Sequence, residues 1–206
     1  MRQKLFIDTH KAATAPAVLA LMAWADAWDN PTVWLYLALH GTYGVLWVWK
    51  SRVFPDKSWE AECSAAYGML IWVGLTLYWI APWWIVTTDV RISPPYAAAC
   101  ASIYALGVFL HFAADMQKYT ALRLRPNELI RDGLWARVRN PNYLGELCIY
   151  LGFGLLAQHW APLLVIGLFV GAVWIPNMLK KDRSLSRYPE FATYRASSWL
   201  FLPPIW

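Results

Sequence analysis

Polar residues divide this chain into a few long apolar stretches. The last of them is interrupted near Gln158-His159-Trp160-Ala161-Pro162, and at ~1.5 Å per residue it is too long for one membrane crossing. We therefore read it as a hairpin of two shorter helices. The others approach the ~20 residues that a helix needs to cross the hydrocarbon core. The pattern predicts an all-α membrane protein with about six transmembrane helices, in stretches at about 13–29, 32–50, 64–87, 95–116 and 147–178.

Composition supports a membrane location. Hydrophobic residues make up 59% of the chain and charged residues 15%, against roughly 25% in soluble domains. The N-terminus shows no cleavage site after a short apolar core, so no removable signal peptide is expected. Cys63, Cys100 and Cys148 have no paired spacing and the four histidines are isolated, so we expect neither a disulfide framework nor a metal site.

The distribution of basic residues predicts the orientation. Apart from Arg91, every lysine and arginine lies before the first span or in the segments 50–57, 118–139 and 180–195. With six crossings these segments share one side of the membrane, which the positive-inside rule identifies as the cytoplasm. Both termini are then cytoplasmic, in a bacterial inner membrane or the endoplasmic reticulum. For the N-terminus and 50–57, this topological role is a sufficient interpretation.

The segment from Asp115 to Glu146 needs a further explanation. It carries six cations and four acids, yet it is too rich in Leu, Tyr and Trp for a disordered linker. Lys118, Arg123 and Arg125 extend the fourth span into water. Guanidinium and ammonium groups bind phosphates, so these cations suit a phosphorylated cofactor. The alternative is contact with lipid head groups.

The turn that follows leads polar groups into a membrane span. Pro141 fixes the backbone and restricts Asn140, and the amide of Asn142 can both donate and accept. Glu146 lies one turn inside the apolar stretch, where an ionisable residue is a functional-site candidate. Its competing role is stabilisation of the helix N-terminus through the helix dipole.

The C-terminal tail, 180–206, alternates charged and aromatic residues before a Trp- and Pro-rich end. One interpretation is an amphipathic helix on the membrane surface. In the other, Asp182, Tyr188 and Tyr194 fold back over the basic segment and close a cofactor site.

The stretch GLWARVRNPNYLGE at 133–146 resembles a motif of small integral-membrane enzymes. That superfamily includes steroid 5α-reductases and sterol Δ14- and Δ7-reductases, and also isoprenylcysteine carboxyl and phospholipid methyltransferases. An acid after the glycine, here Glu146, is typical of the reductases, whereas the methyltransferases usually carry RHPxYxG without it. DMQKYTALR at 115–123 and the tail from Arg187 also resemble sterol reductases, so the resemblance covers about 111–206.

The resemblance implies an NADPH-dependent oxidoreductase that reduces a carbon–carbon double bond in a lipophilic, steroid-like substrate. The chain would be one membrane domain, 1–206, with N-terminal spans on the substrate side (1–110) and a cofactor-binding core (111–206). Asn142 and Glu146 would orient the nicotinamide amide. The cations that would hold the phosphates are Lys118, Arg123 and Arg125. The residues that would line or close the pocket are Asp115, Trp135, Arg139, Tyr143, Asp182, Tyr188 and Tyr194.

Reduction also needs a proton donor. His40 and Tyr43, one turn apart in the second span, have suitable side chains, although both also fit a buried aromatic helix face. Together with Glu146 they are the candidate catalytic residues.

Two other functions fit the same sequence. One is an S-adenosylmethionine-dependent methyltransferase acting on an isoprenylcysteine carboxylate or a lipid amine. The other is a membrane scaffold or lipid-binding protein without a cofactor. The three cations at 118–125 favour a phosphorylated cofactor. The expected partners are a lipophilic small molecule and membrane lipids, and no nucleic acid.

Overall fold

Helices account for 76% of the protein in a computed structural model that describes residues 1–203. No strand forms within that range, which contains only the isolated bridges Arg2–Glu62 and Val138–Trp199. The last three residues of the predicted Trp- and Pro-rich end of the tail lie outside the described residues. The prediction of an all-α membrane protein is confirmed.

The ten α-helices join into six long rods and a short terminal helix. The helices of the described residues are α1 (Gln3–Trp24), α2 (Pro31–Tyr36), α3 (Thr42–Val53), α4 (Ala65–Thr76), α5 (Ile80–Thr87), α6 (Pro94–Leu124), α7 (Pro141–Gly154), α8 (Trp160–Phe169), α9 (Ile175–Leu185) and α10 (Phe191–Ala196). The first rod is α1, and the second joins α2 to α3 through a π-helical turn at Leu37–Gly41. A 3₁₀ turn joins α4 to α5, another extends α7 to residue 157, and a π-helical turn at Val170–Trp174 joins α8 to α9.

Three rods are long and apolar enough to cross a membrane by length and composition: Ala65–Thr87, Pro94–Leu124 and Trp160–Leu185. Each corresponds to a predicted span. The remaining three crossings and the cytoplasmic location of both termini stay predictions.

Local chemistry sets several of the helix ends. The Asn30 side chain accepts from the backbone N–H groups of Thr32 and Val33, and Pro31 follows it at the first helical position. The predicted break in the last apolar stretch is confirmed at Gln158, whose φ of 47° ends the preceding rod. The His159 ring then accepts from the N–H of Ala161 and caps α8.

The first span differs most from its predicted boundaries. The helix begins at Gln3 rather than near residue 13, and it ends at Trp24 rather than residue 29. Its early turns are helical because their Phe6, Ile7 and His10 side chains are buried inside the bundle. The positive φ of Asp26 ends the helix before the apolar sequence does.

Glycine permits the close contact between α6 and α7. A Cβ atom at Gly145 would lie 2.3 Å from the backbone nitrogen of His111, and one at Gly107 would lie 2.6 Å from that of Ile149. Since backbone atoms cannot rotate away, both positions must lack a side chain. Small residues at such crossings let membrane helices pack backbone to backbone. This contact fixes the depth and direction of Glu146, the residue after Gly145.

We expect Gly145→Ala to destabilise the fold, and Gly167→Ala provides the matched control. Both changes add helix propensity, but a Cβ at Gly167 meets no atom within 4 Å. Overpacking at Gly145 should cost about 1–3 kcal/mol. Thermal unfolding in detergent should therefore show a lower midpoint for Gly145→Ala and an unchanged or higher one for Gly167→Ala. Equal midpoints would show that α6 and α7 are not in backbone contact.

Candidate functional site

A cavity of about 650 Å³ opens at the polar end of the bundle. It lies between the loop after α3, the last turns of α6, the segment before α7, and the chain from α9 to α10. Its volume falls in the ~300–1,000 Å³ range of small-molecule sites. The predicted site residues that line it are Asp115, Lys118, Arg123, Trp135, Arg139, Tyr188 and Tyr194.

The cavity wall carries more positive than negative charge. Its acids are Asp56, Asp115 and Glu128, and its cations are Lys57, Lys118, Arg123, Arg139, Lys181 and Arg187. Within residues 1–203, four of these cations have no carboxylate within 4.0 Å: Lys57, Arg123, Lys181 and Arg187. The Lys181 ammonium instead donates to the Arg139 carbonyl at 2.6 Å, and the Arg123 guanidinium donates to the Tyr119 hydroxyl at 2.9 Å. Lys57, Arg123 and Arg187, which pair with neither a carboxylate nor the Arg139 backbone, are available to an anionic ligand.

The other predicted site residues lie off this wall. Arg125 pairs with Asp132 at 2.9 Å on the exposed surface, and Tyr143 packs against Trp174. Three further predicted residues do not line the cavity: Asn142, Glu146 and Asp182. Asp182 nevertheless pairs with Arg139, which does line it. The structure thus places seven of the predicted residues on the cavity wall, Arg125 on the outer surface, and an inner group around Glu146.

The tail folds back over the segment before α7. The Arg139 guanidinium donates to both Asp182 oxygens at 3.3 and 3.1 Å, and to the carbonyl of Ser198 at 2.5 Å. The Asn140 amide donates to the carbonyl of Leu200 at 2.8 Å. We call these contacts the tail clasp. Arg139 and Asp182 are 6% and 7% exposed, so the pair is shielded from water.

Tyr194 closes the same fold-back from α10. Its hydroxyl donates to the carbonyl oxygen of Trp135 at 2.5 Å. Burial raises the pKa of Tyr194 to about 12, so the hydroxyl keeps its proton and the bond persists at neutral pH. Of the two interpretations of the tail, the structure agrees with the fold-back over the basic segment.

The inner group surrounds Glu146. The hydroxyl of Tyr43, which is fully buried, donates to the Glu146 carboxylate at 3.1 Å. His40 lies in the π-helical turn, where its ring accepts or donates at 2.7 Å to the Tyr36 hydroxyl and stacks on Phe153. Two of the three candidate catalytic residues, Tyr43 and Glu146, therefore touch one another, and His40 faces different neighbours.

Two buried lysines that the sequence assigned only to membrane topology belong to this inner group. Lys11 is 3% exposed; its ammonium donates to the Tyr150 hydroxyl at 2.8 Å and lies 4.3 Å from the Tyr43 ring centre. Lys50 forms a buried ion pair with Asp115. A topological role is therefore not a sufficient interpretation of Lys11 and Lys50, because the helices that carry them extend further than the predicted spans and bury both side chains.

Lys50 and His111 connect the cavity to the inner group. The Lys50 ammonium donates to Nε2 of His111 at 3.3 Å, and Nδ1–H of His111 donates to the backbone carbonyl of Asn142 at 3.0 Å. Asp115, which lines the cavity, is the partner of Lys50. Lone charged residues within apolar stretches were the available signal for this network.

Three buried oxygen atoms near the site lack a hydrogen-bond partner among the described residues: the Oδ1 atoms of Asp115, Asn140 and Asn142. Unpaired buried acceptors are costly, and they mark positions where a donor from a bound molecule would fit. Across residues 1–203, no group of three or more His, Cys, Asp or Glu side chains is arranged to hold a metal ion.

Comparison with known proteins adds a family and several relatives. Residues 59–196 match the family described as "Protein of unknown function (DUF1295)". The chain is 26% identical to a Delta(14)-sterol reductase of Arabidopsis thaliana over 157 residues, which is 68% of this chain and 42% of that protein. It is 30% identical to a Delta(14)-sterol reductase of Gallus gallus over 105 residues, 44% of this chain and 16% of that protein. The chain thus spans less than half the length of these relatives.

An uncharacterized protein of Schizosaccharomyces pombe is 32% identical over 65 residues, which is 32% of this chain and 24% of that protein. The family match includes the turn at Asn140 and Glu146, but it begins after Lys11 and Lys50.

We expect Asp182→Asn to open the tail clasp. The change leaves the buried Arg139 charge without its carboxylate, a loss that typically costs 3–5 kcal/mol. The matched control, Asp132→Asn, breaks the exposed pair with Arg125 and should cost less than about 1 kcal/mol. Chemical unfolding in detergent measures both free energies. Trypsin cleavage at Arg183 or Arg187 should also accelerate in Asp182→Asn alone, and equal stability of the two variants would contradict the role of the clasp.

Proposed function

The chain belongs to the DUF1295 family, within the sterol reductase superfamily, and we propose that it is an NADPH-dependent membrane oxidoreductase. The proposed reaction is reduction of a carbon–carbon double bond in a lipophilic, sterol-like substrate. The observation that carries the proposal is a basic cavity with a chain of contacts leading from its wall to Glu146. Asp115 lines the cavity and pairs with Lys50, and Lys50 contacts His111. His111 in turn donates to the Asn142 carbonyl, four residues before Glu146.

The chemistry of the cavity fits a phosphorylated dinucleotide. Arg123, Lys57 and Arg187 are free of carboxylates within the described chain and suit phosphate oxygens. The unpaired Oδ1 atoms of Asp115 and Asn142 need donors, and a ribose hydroxyl or a carboxamide would supply them. Aromatic rings of Trp135 and Tyr188 provide flat apolar surface on the same wall.

In this proposal, Lys118 and Arg123 hold the phosphates, while Asn142 and Glu146 orient the nicotinamide amide. Arg125 is left to its surface pair with Asp132. The tail clasp fixes the segment before α7 and so holds Trp135 against the cavity. The helices before residue 111 would contact the substrate, and the core from residue 111 would bind the cofactor.

In the proposed reaction, the protein itself supplies the proton that is added to the double bond. NADPH supplies a hydride when it is bound, and the opposite carbon of the double bond takes a proton from the protein. Tyr43 is the proposed donor, because its buried hydroxyl already lies 3.1 Å from Glu146. Glu146 accepts that hydrogen bond in the absence of substrate, and the hydroxyl would turn from Glu146 to give its proton to the substrate carbon. The tyrosinate left behind would be stabilised by the Lys11 ammonium, which lies 4.3 Å from the ring centre. The apolar helices around Tyr43 exclude bulk water from this step.

We expect NADPH to stabilise the protein in detergent, since a ligand that binds the native state raises its apparent stability. Arg123→Ala should weaken NADPH binding about tenfold, because one charge-assisted hydrogen bond is worth at least ~1.5 kcal/mol. Arg131→Ala is the control: this arginine is equally exposed and lies off the cavity wall. Thermal shift titrations with NADPH, NADH and S-adenosylmethionine provide the measurement. Stabilisation by S-adenosylmethionine alone would replace the reductase proposal with the methyltransferase.

We also expect Tyr43→Phe to lower turnover of a Δ14-sterol at least ~100-fold, because general acid catalysis contributes ~10²–10⁴-fold. Glu146→Gln should lower it as well. NADPH stabilisation of Tyr43→Phe should match the wild-type value, which separates chemistry from cofactor binding. The exposed Tyr67→Phe serves as the control. Normal turnover by Tyr43→Phe would exclude this residue as the proton donor.

A further inference from the structure

Asp56 connects the loop after α3 to the cavity. Its Oδ2 accepts from the Lys118 ammonium at 2.6 Å, and its Oδ1 accepts from the backbone N–H of Ser58 at 2.9 Å. Burial raises the pKa of the Asp56 carboxyl, but Lys118 and the Ser58 hydrogen bonds lower it by more, so the pKa lies below its usual range. The carboxylate is therefore charged at neutral pH and already pairs with a cation of the proposed phosphate site.

The loop that carries Asp56 forms one wall of the cavity through residues 54–58. Its far end is held by the N-terminus: Glu60 accepts from Arg2 at 2.7 Å and from Lys4 at 2.5 Å. The N–H of Cys63 donates to the carbonyl of Met1 at 2.7 Å. On the cavity side, the ion pair with Lys118 attaches Asp56 to α6. Phe54 stays bonded to the Lys50 carbonyl at 2.9 Å, so loss of the ion pair would loosen the middle of the loop while both of its ends stay fixed.

Phosphate and Asp56 place competing demands on Lys118. A phosphate bound to its ammonium would lie close to the carboxylate, and like charges at that separation repel. The free cations Lys57, Arg123 and Arg187 attract the same phosphate from around the wall. A ligand with several negative charges can therefore displace Asp56, whereas a ligand without phosphates gains nothing from doing so.

We propose that Asp56 determines the ligand specificity of the cavity by competing with the ligand's phosphates for Lys118. Binding of a polyphosphate ligand then releases the loop 54–58 from α6. The inference rests on the proposed function, and it adds an internal competitor that selects ligands by charge. Asp56 lies just before the residues that match the family, which begin at 59.

The first test compares Asp56→Asn with the wild-type protein by thermal shift titration. Asparagine keeps the size of the side chain and its acceptor for Ser58 but removes the competing charge. NADPH should bind about tenfold more tightly, and the affinity of S-adenosylmethionine should not rise. Glu128→Gln removes another acid of the same wall that has no contact with Lys118, so it should change NADPH affinity less than threefold. Equal or weaker NADPH binding by Asp56→Asn would overturn the inference.

The second test needs no variant. Hydrogen exchange of the Ser58 and Trp59 amides should accelerate several-fold when NADPH binds the wild-type protein, because a loop no longer held at Lys118 opens its local hydrogen bonds to Asp56 more often. A passive wall would instead exchange more slowly when covered by ligand. Slower exchange on binding would therefore overturn loop release, even if Asp56→Asn failed to fold.

Inorganic pyrophosphate separates failure of this inference from failure of the proposed function. Absence of NADPH binding to the wild-type protein would contradict the reductase proposal. Tighter binding of pyrophosphate by Asp56→Asn than by the wild-type protein would still support competition at Lys118. If neither NADPH nor pyrophosphate binds either protein, the cavity is no anion site and the inference fails with it.

Discussion

The constraint on which this structure depends is that charges buried among membrane helices must be neutralised inside the molecule. Lys50 pairs with Asp115 and thereby joins the second rod to α6. Arg139 pairs with Asp182 and joins the entrance of α7 to α9. Desolvation makes an unpaired charge at such positions expensive, so each pair fixes two elements relative to one another. The two buried ion pairs therefore constrain how these helices are arranged.

The pair of Lys50 and Asp115 also links the cavity to the buried residues around Glu146. Asp115 faces the cavity on one side and Lys50 on the other, and His111 continues the contacts to the carbonyl of Asn142. Glu146 lies four residues after Asn142 on α7, the helix that packs closely against α6 at Gly107 and Gly145. A molecule bound beside Asp115 would therefore alter the electrostatic surroundings of Tyr43 and Glu146 through Lys50 and His111.

Hydrophobic runs were sufficient to predict that the rods exist, because a membrane span must be apolar over most of its length, but they did not predict where the first rod begins and ends. The break at Gln158 was equally readable, since polar residues and Pro162 interrupt the run. The side-chain pairs could not be predicted from the sequence. Lys118 and Asp56 lie 62 residues apart, and Lys11 and Tyr150 lie 139 apart, so no local pattern links them. Residues near Glu146 could be selected by motif, but the burial of Lys11 and Lys50 depends on how the rods pack.

The tail clasp has a consequence for the order in which the protein is made. The partners of Arg139 lie 43 and 59 residues further along the chain. During synthesis, Arg139 therefore leaves the ribosome well before Asp182 and Ser198, and its guanidinium must stay hydrated until they arrive. The wall that contains Trp135 and Arg139 cannot close over the cavity until translation has passed α10. A chain whose synthesis has not yet passed Ser198 therefore lacks the complete wall of the cavity.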